Sequence, residues 1–189
     1  HKVMIWDDHR NRCIGELSFR QRVLSVRLRR DRVAVALATR VYVYRFSDLA
    51  LLDQVNTVAN PKGLLALSHA PESTVLACPS IARGHVRVEL YSQRKSTLVA
   101  AHDSHLAQIA LTPDGSFLAT ASRKGTLVRV FDARTGDRTH ELRRGAEQAT
   151  ITCLAFSPKR RYLAACSDKG TVHVFHLEHN PKPAANPPA

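Results

Sequence analysis

Residues 110–126 and 155–171 are two copies of one pattern, and this duplication limits what the chain can fold into more than any other feature. The copies align without a gap at an offset of 45 positions, sharing Ala110/Ala155, Pro113/Pro158, Leu118/Leu163, Ala119/Ala164, Ser122/Ser167, Lys124/Lys169, Gly125/Gly170 and Thr126/Thr171. A period of about 40 to 45 residues with four short strands per unit is the signature of a β-propeller blade.

The rest of the chain keeps the same cadence. Residues 2–8 form a short β-rich run that ends in Asp7-Asp8, the form of a final blade strand in WD-type repeats. Residues 12–19, 23–28, 32–38 and 41–46 follow as four runs rich in Val, Leu and Tyr, separated by Arg, Asp, Thr and Gln. This reads as antiparallel β meander rather than helix. Residues 63–91 repeat the pattern more loosely, with Pro71, Pro79 and Gly84 in the turns. Units are expected to start near residues 12, 58 and 101, with a fourth over 138–178. The expected fold is all-β, a partial WD-type propeller over residues 1–178, followed by a proline-rich disordered linker over 179–189. About four blades are too few to close a ring, so the chain is expected to be a piece of a longer one.

Charge narrows the partner. The 189 residues carry 28 Lys and Arg against 16 Asp and Glu, a formal charge of +12. That calls for an anion, either a phosphorylated lipid surface or nucleic acid, and charge alone does not choose between them. Aromatic residues are only 6% of the chain, and no aromatic cluster is seen alternating with basic residues, so a base-stacking platform is weakly supported. Cys13, Cys78, Cys153 and Cys166 lack CxxC spacing and sit in or beside apolar runs. They read as reduced core residues of a cytosolic protein. No apolar run has the length of a bilayer span, and no signal-peptide pattern opens the chain.

The anion site is expected around Leu142-Arg143-Arg144-Gly145, which lies between Ser122-Arg123-Lys124-Gly125-Thr126 and Ser167-Asp168-Lys169-Gly170-Thr171. If residues 142–144 continue the first strand of a blade, Arg143 and Arg144 point to opposite faces and serve two crevices. Arg143 would look toward Ser122, Thr126 and Arg129, and Arg144 toward Ser167, Thr171 and His173. Guanidinium groups take phosphate bidentately, hydroxyls satisfy its remaining oxygens, and Gly125, Gly145 or Gly170 permits close backbone approach. The plainer alternatives stay open: an arginine pair can be a solvated strand end, and Ser-x-Lys-Gly-Thr a blade turn with left-handed Gly. Bland turns, however, need no arginine pair between them. His102-Asp103-Ser104-His105 holds the residue types of a hydrolase triad but lacks a nucleophile elbow, and His173, His176 and His179 at intervals of three do not share a strand face. No catalytic set and no metal or cofactor site is expected.

Taken together, Trp6-Asp7-Asp8, Glu16-Leu17-Ser18-Phe19, Arg29-Arg30-Asp31-Arg32, Val41-Tyr42-Val43-Tyr44, Asn60-Pro61-Lys62-Gly63, Ala101-His102-Asp103-Ser104, the two repeat turns and Leu142-Arg143-Arg144-Gly145 resemble the PROPPINs, nearest to plant and algal members. These are seven-bladed WD-repeat-like propellers of autophagy, with an F/L-R-R-G hallmark. The resemblance implies binding of phosphatidylinositol 3-phosphate and phosphatidylinositol 3,5-bisphosphate at two rim sites. The first would use His102, Thr120, Ser122, Gly125, Thr126, Arg129 and Arg143, and the second Arg144, Thr150, Ser167, Thr171 and His173, with Gly145 supporting the turn between them. It also implies a cytoplasmic protein, peripheral on preautophagosomal, endosomal or vacuolar membranes, that docks a lipid-transfer partner of the autophagy machinery. The rival expectation is a basic WD-type scaffold that binds proteins or nucleic acid without lipid specificity.

Overall fold

Short runs of Val, Leu, Ala and Tyr interrupted by turn residues cannot bury themselves as single hairpins, so each sheet must pack its faces on neighbours. The computed structural model describes residues 1–177, and there the strands form five antiparallel sheets. The expected linker at 179–189 lies outside the described residues. Sheet I pairs β1 (Lys2–Asp7) with β2 (Arg12–Ser18). Sheet II is β3 (Ser25–Leu28), β4 (Arg32–Ala36), β5 (Arg40–Arg45) and β6 (Leu51–Asn56). Sheet III is β7 (Ala66–Leu67), β8 (Val75–Pro79), β9 (His85–Leu90) and β10 (Lys95–Ala100). Sheet IV is β11 (Leu106–Leu111), β12 (Phe117–Ser122), β13 (Leu127–Asp132) and β14 (Arg138–Arg143). Sheet V is β15 (Ile151–Phe156), β16 (Tyr162–Ser167) and β17 (Val172–His176).

Each sheet packs on the next, which gives the arc of a propeller. Val33, Val35 and Leu37 of sheet II meet Leu17 of sheet I, while Ala34, Val41 and Val43 meet Leu65, Leu67, Leu76 and Cys78 of sheet III. Ile109, Leu118 and Phe131 then cover sheet III, and Val128 and Val130 cover Ile151, Leu163 and Ala165 of sheet V. The second strand of each four-stranded sheet therefore lies between two neighbours and reads as a continuous apolar run, such as Val75–Pro79, buried throughout. At one end of the arc, the turns after the first strands are tied together across sheets. Arg29 donates to the carbonyls of Ser73 (2.9 Å) and Ala70 (3.2 Å), Ser73 Oγ donates to Asp114 O (2.6 Å), and Arg160 pairs with the Asp114 carboxylate (2.9 Å).

Two expectations are corrected here. The unit assigned to begin near residue 12 begins at Ser25, because β2 completes the sheet before it; the fourth strand of sheet II is β6. Likewise β14 is not the first strand of a new blade at 138. It is the fourth strand of sheet IV, with Leu127 opposite Arg143 and Arg129 opposite Glu141. Outer strands are mostly exposed and mix polar with apolar residues, as in Leu51–Asn56 and Lys95–Ala100, so no continuous apolar run marked them. The cysteines also differ from expectation: all four are free, but only Cys78 is buried, while Cys13 and Cys153 are exposed.

Candidate functional site

The end of the arc opposite the Arg29–Arg160 ties collects most of the expected site residues. Four segments meet there: the crossover after β10, the β12–β13 turn, the stretch after β14, and the β16–β17 turn. Gly125 closes the β12–β13 turn at φ +65°, donating its N–H to Ser122 O at 3.0 Å. Only glycine fits, since a Cβ there would stand 1.7 Å from the carbonyl oxygen of Ala149 in the incoming segment. Ala149 N in turn donates to Lys124 O at 3.2 Å, so the turn and the strand entry lock together.

Behind this turn, His102 is buried and its Nε2 lies 2.9 Å from Thr120 Oγ1, itself fully buried. Burial, with the Arg129 guanidinium adding to it, holds the imidazole pKa down at about 4. His102 is therefore neutral at pH 7 and offers a hydrogen bond rather than charge. Arg129 spans the crevice between sheets III and IV, with Nη1 donating to Ala101 O at 2.7 Å and Nε to Glu141 Oε2 at 2.8 Å. Ser122 is buried just inside the turn and Thr126 half-buried beside it. Glu141, which sequence reasoning missed, also pairs with Arg138 at 2.6 Å, so one carboxylate holds two guanidinium groups. Its signal lay in the hairpin register, which sets Glu141 directly across from Arg129.

Arg143 differs from its neighbours. Its side chain is exposed and has no hydrogen bond or ion pair among the described residues. It ends β14 in the same sheet as Ser122, Thr126 and Arg129, with Arg144 N donating to Thr126 O at 2.9 Å. The structure thus brings one uncommitted guanidinium, the exposed cations Arg123 and Lys124, and a hydroxyl-bearing turn to one sheet end. Such a group can take a phosphate oxygen pair bidentately without first breaking an ion pair.

The second group is less assembled. Arg144 donates through Nε to Gly125 O at 2.6 Å and through Nη2 to Glu147 O. It holds the backbone between sheets IV and V, and no hydrogen bond joins it to Ser167, Thr171 or His173 among the described residues. Those three lie on the β16–β17 hairpin, with Thr171 Oγ1 3.3 Å from His173 Nε2 and Ser167 buried. Thr150 meets this hairpin through its backbone: its N–H donates to Asp168 Oδ1 and its carbonyl accepts from Asp168 N, both at 3.0 Å. Gly145 and Gly170 have open space where a Cβ would go, so no other segment of the protein packs closely on them as Ala149 does on Gly125. Among the described residues no cluster of His, Cys, Asp and Glu is arranged for a metal ion, and His179 lies outside them.

Comparison with known proteins agrees with the arc. A family model described as PROPPIN matches residues 2–188. Autophagy-related protein 18e of Arabidopsis thaliana is 45% identical over 177 residues, covering 94% of this chain and 47% of that protein. SVP1-like protein 2 of Emericella nidulans is 40% identical over 183 residues, covering 95% of this chain and 56% of that one. Among solved structures, Kluyveromyces lactis Hsv2 superposes with a TM-score of 0.81 at 26% identity, over 98% of this chain and 60% of that one. KlAtg21, solved in complex with the coiled coil of AgAtg16, gives 0.80 at 26% identity, over 93% and 59%. The chain spans about half the length of the curated relatives it matches. Five sheets packed face to face, the duplicated turns and the family match over nearly the whole sequence lead to one conclusion: the chain belongs to the PROPPIN family.

Proposed function

We propose that the chain is the phosphoinositide-recognising part of a non-enzymatic autophagy effector, and that the crevice between sheets III and IV takes the phosphate of phosphatidylinositol 3-phosphate or phosphatidylinositol 3,5-bisphosphate. The observation that carries this is the uncommitted Arg143 guanidinium beside the Ser122–Thr126 turn. In this reading Arg143 grips the phosphate, Ser122 and Thr126 complete its hydrogen bonds, and neutral His102 with Thr120 fixes the crevice wall. Arg129 is held ready by Glu141 and Ala101. Arg144, Thr150, Ser167, Thr171 and His173 serve a second headgroup, once Arg144 leaves its backbone carbonyls. Residues 1–178 act as a propeller segment and 179–189 as a linker.

The net charge of +12 favours approach to any anionic membrane, at about 1 kcal/mol per basic side chain close to the surface. Selectivity must come from the crevice. The protein is peripheral in this reading, on preautophagosomal, endosomal or vacuolar membranes; no helix among the described residues is long and apolar enough to cross one. The autophagy names of its relatives support a partner from the autophagy machinery, for which the reading takes a lipid-transfer protein, and the solved complex of a related propeller supports a coiled-coil protein as a second kind of partner. The test is co-sedimentation with vesicles containing phosphatidylinositol 3-phosphate, against phosphatidylserine vesicles of equal charge. Selective binding supports the assignment. Equal binding that falls steeply with salt replaces it with a basic scaffold that binds polyanions.

A further inference from the structure

Sheets I and II enclose a second crevice at the position that the III–IV crevice occupies two sheets further along. Residues 19 and 20 follow β2 as Ala101 and His102 follow β10, and the hydrogen bonds Thr57 N to Thr39 O and Arg144 N to Thr126 O mark the same corner in both sheets. In that register Tyr42 stands where Arg129 stands and Phe19 where Ala101 stands. The Arg129–Ala101 hydrogen bond is replaced by a ring contact, with Phe19 and Tyr42 centroids 5.7 Å apart. Tyr44 stacks beside Tyr42 at 6.3 Å and completes an aromatic floor.

Above this floor the crevice is polar and basic. It measures about 460 Å³ and is lined by Ser18, Arg20, Gln21, Thr39 and Arg40 in addition to the rings and Leu37. That is room for a phosphorylated sugar or inositol ring rather than for a bare ion. Arg40, Tyr42 and Tyr44 alternate along β5 and so share one face. Arg20 and Arg40 are exposed and have no hydrogen bond or ion pair among the described residues, and neither phenol has a hydrogen-bond partner there. Glu16, which accepts from Ser18 at 2.9 Å, is neutralised by Lys2 at 2.8 Å. Phe19 comes from the segment after β2, so folding adds it to the Tyr42–Tyr44 pair of β5.

We infer that the I–II crevice is a further anion site, taking a phosphate monoester on a ring of inositol size, with Arg20 and Arg40 gripping the phosphate and the Tyr42 and Tyr44 hydroxyls meeting the ring. It rests on its own residues and stands or falls apart from the Arg143 crevice. Titration of the full chain with soluble inositol 1,3-bisphosphate by calorimetry tests it, using wild type, Arg20→Gln/Arg40→Gln, Tyr42→Phe/Tyr44→Phe and Arg143→Gln. In the Arg143→Gln background, binding is expected to remain and to weaken at least tenfold when Arg20→Gln/Arg40→Gln is added. The tyrosine pair, which keeps the packing, is expected to weaken it several-fold. Unchanged binding after both additions overturns the site. If Arg143→Gln alone abolishes all binding, the I–II site is likewise refuted while the proposed function stands. Sedimentation of Arg143→Gln with phosphatidylinositol 3-phosphate vesicles, with and without Arg20→Gln/Arg40→Gln, separates the sources: binding that falls on the addition assigns a lipid headgroup to this crevice, and vesicle binding unchanged while soluble binding weakens assigns a free phosphate ester.

Discussion

Acidification is expected to destabilise this protein through the buried imidazole of His102. The imidazole pKa is 6.5 when solvated and about 4 in the folded chain. As pH falls the unfolded state takes up a proton first, so stability declines from about pH 6.5 and levels off below about pH 4. Each unit of difference is worth about 1.4 kcal/mol, which gives a loss of about 2 kcal/mol between pH 7 and pH 5 and about 3 kcal/mol by pH 4. His102→Gln keeps a hydrogen-bonding group at Thr120 but removes the titration. Urea unfolding at pH 7 and pH 5 of both proteins isolates the effect, because the other histidines cancel in the difference. Wild type should lose about 2 kcal/mol more than the variant over that interval. Equal losses would refute the buried, neutral His102 and with it the fixed wall of the crevice.

Other perturbations have equally local causes. Gly125→Ala combines a left-handed backbone with a Cβ 1.7 Å from Ala149 O, whereas Gly170→Ala meets only the backbone strain of φ +73° in open space. Chemical unfolding should show the Gly170 change costing about 1 kcal/mol and the Gly125 change clearly more. Arg29→Ala leaves the carbonyls of Ala70 and Ser73 without their cross-sheet donor and should cost about 2–3 kcal/mol by the same assay. Thiol labelling at pH 8 should modify Cys13 and Cys153 quickly, Cys166 more slowly, and Cys78 only after unfolding, since burial pushes the Cys78 thiol up to about 12.

The parts of this fold that the sequence made legible are those where burial leaves an unbroken imprint. The second strands are covered on both faces, so Val75–Pro79 and Phe117–Ser122 stand out as apolar runs, and the duplicated turns fix their spacing. Outer strands were harder: Leu51–Asn56 and Arg138–Arg143 are largely solvated, and a run of mixed polarity carries no mark of which neighbour it pairs with. That single gap moved the arginine pair from the end of sheet IV to the start of the next sheet. The left-handed Gly125 was legible because the turn chemistry demands it. The Arg129–Glu141 pair and the Phe19–Tyr42–Tyr44 cluster were not, because each depends on register or on a contact between separate sheets.

The proposed function depends most on Arg143 acting as a phosphate ligand with no structural duty, and one comparison tests that directly. Wild type and Arg143→Gln are sedimented with phosphatidylinositol 3-phosphate vesicles and with equally charged phosphatidylserine vesicles at fixed salt, alongside thermal melts of both proteins. The account predicts an affinity loss on the order of tenfold for the phosphoinositide alone, as expected when a charge-assisted bidentate contact is removed, with the melting temperature unchanged. Undiminished selective binding by Arg143→Gln would contradict it.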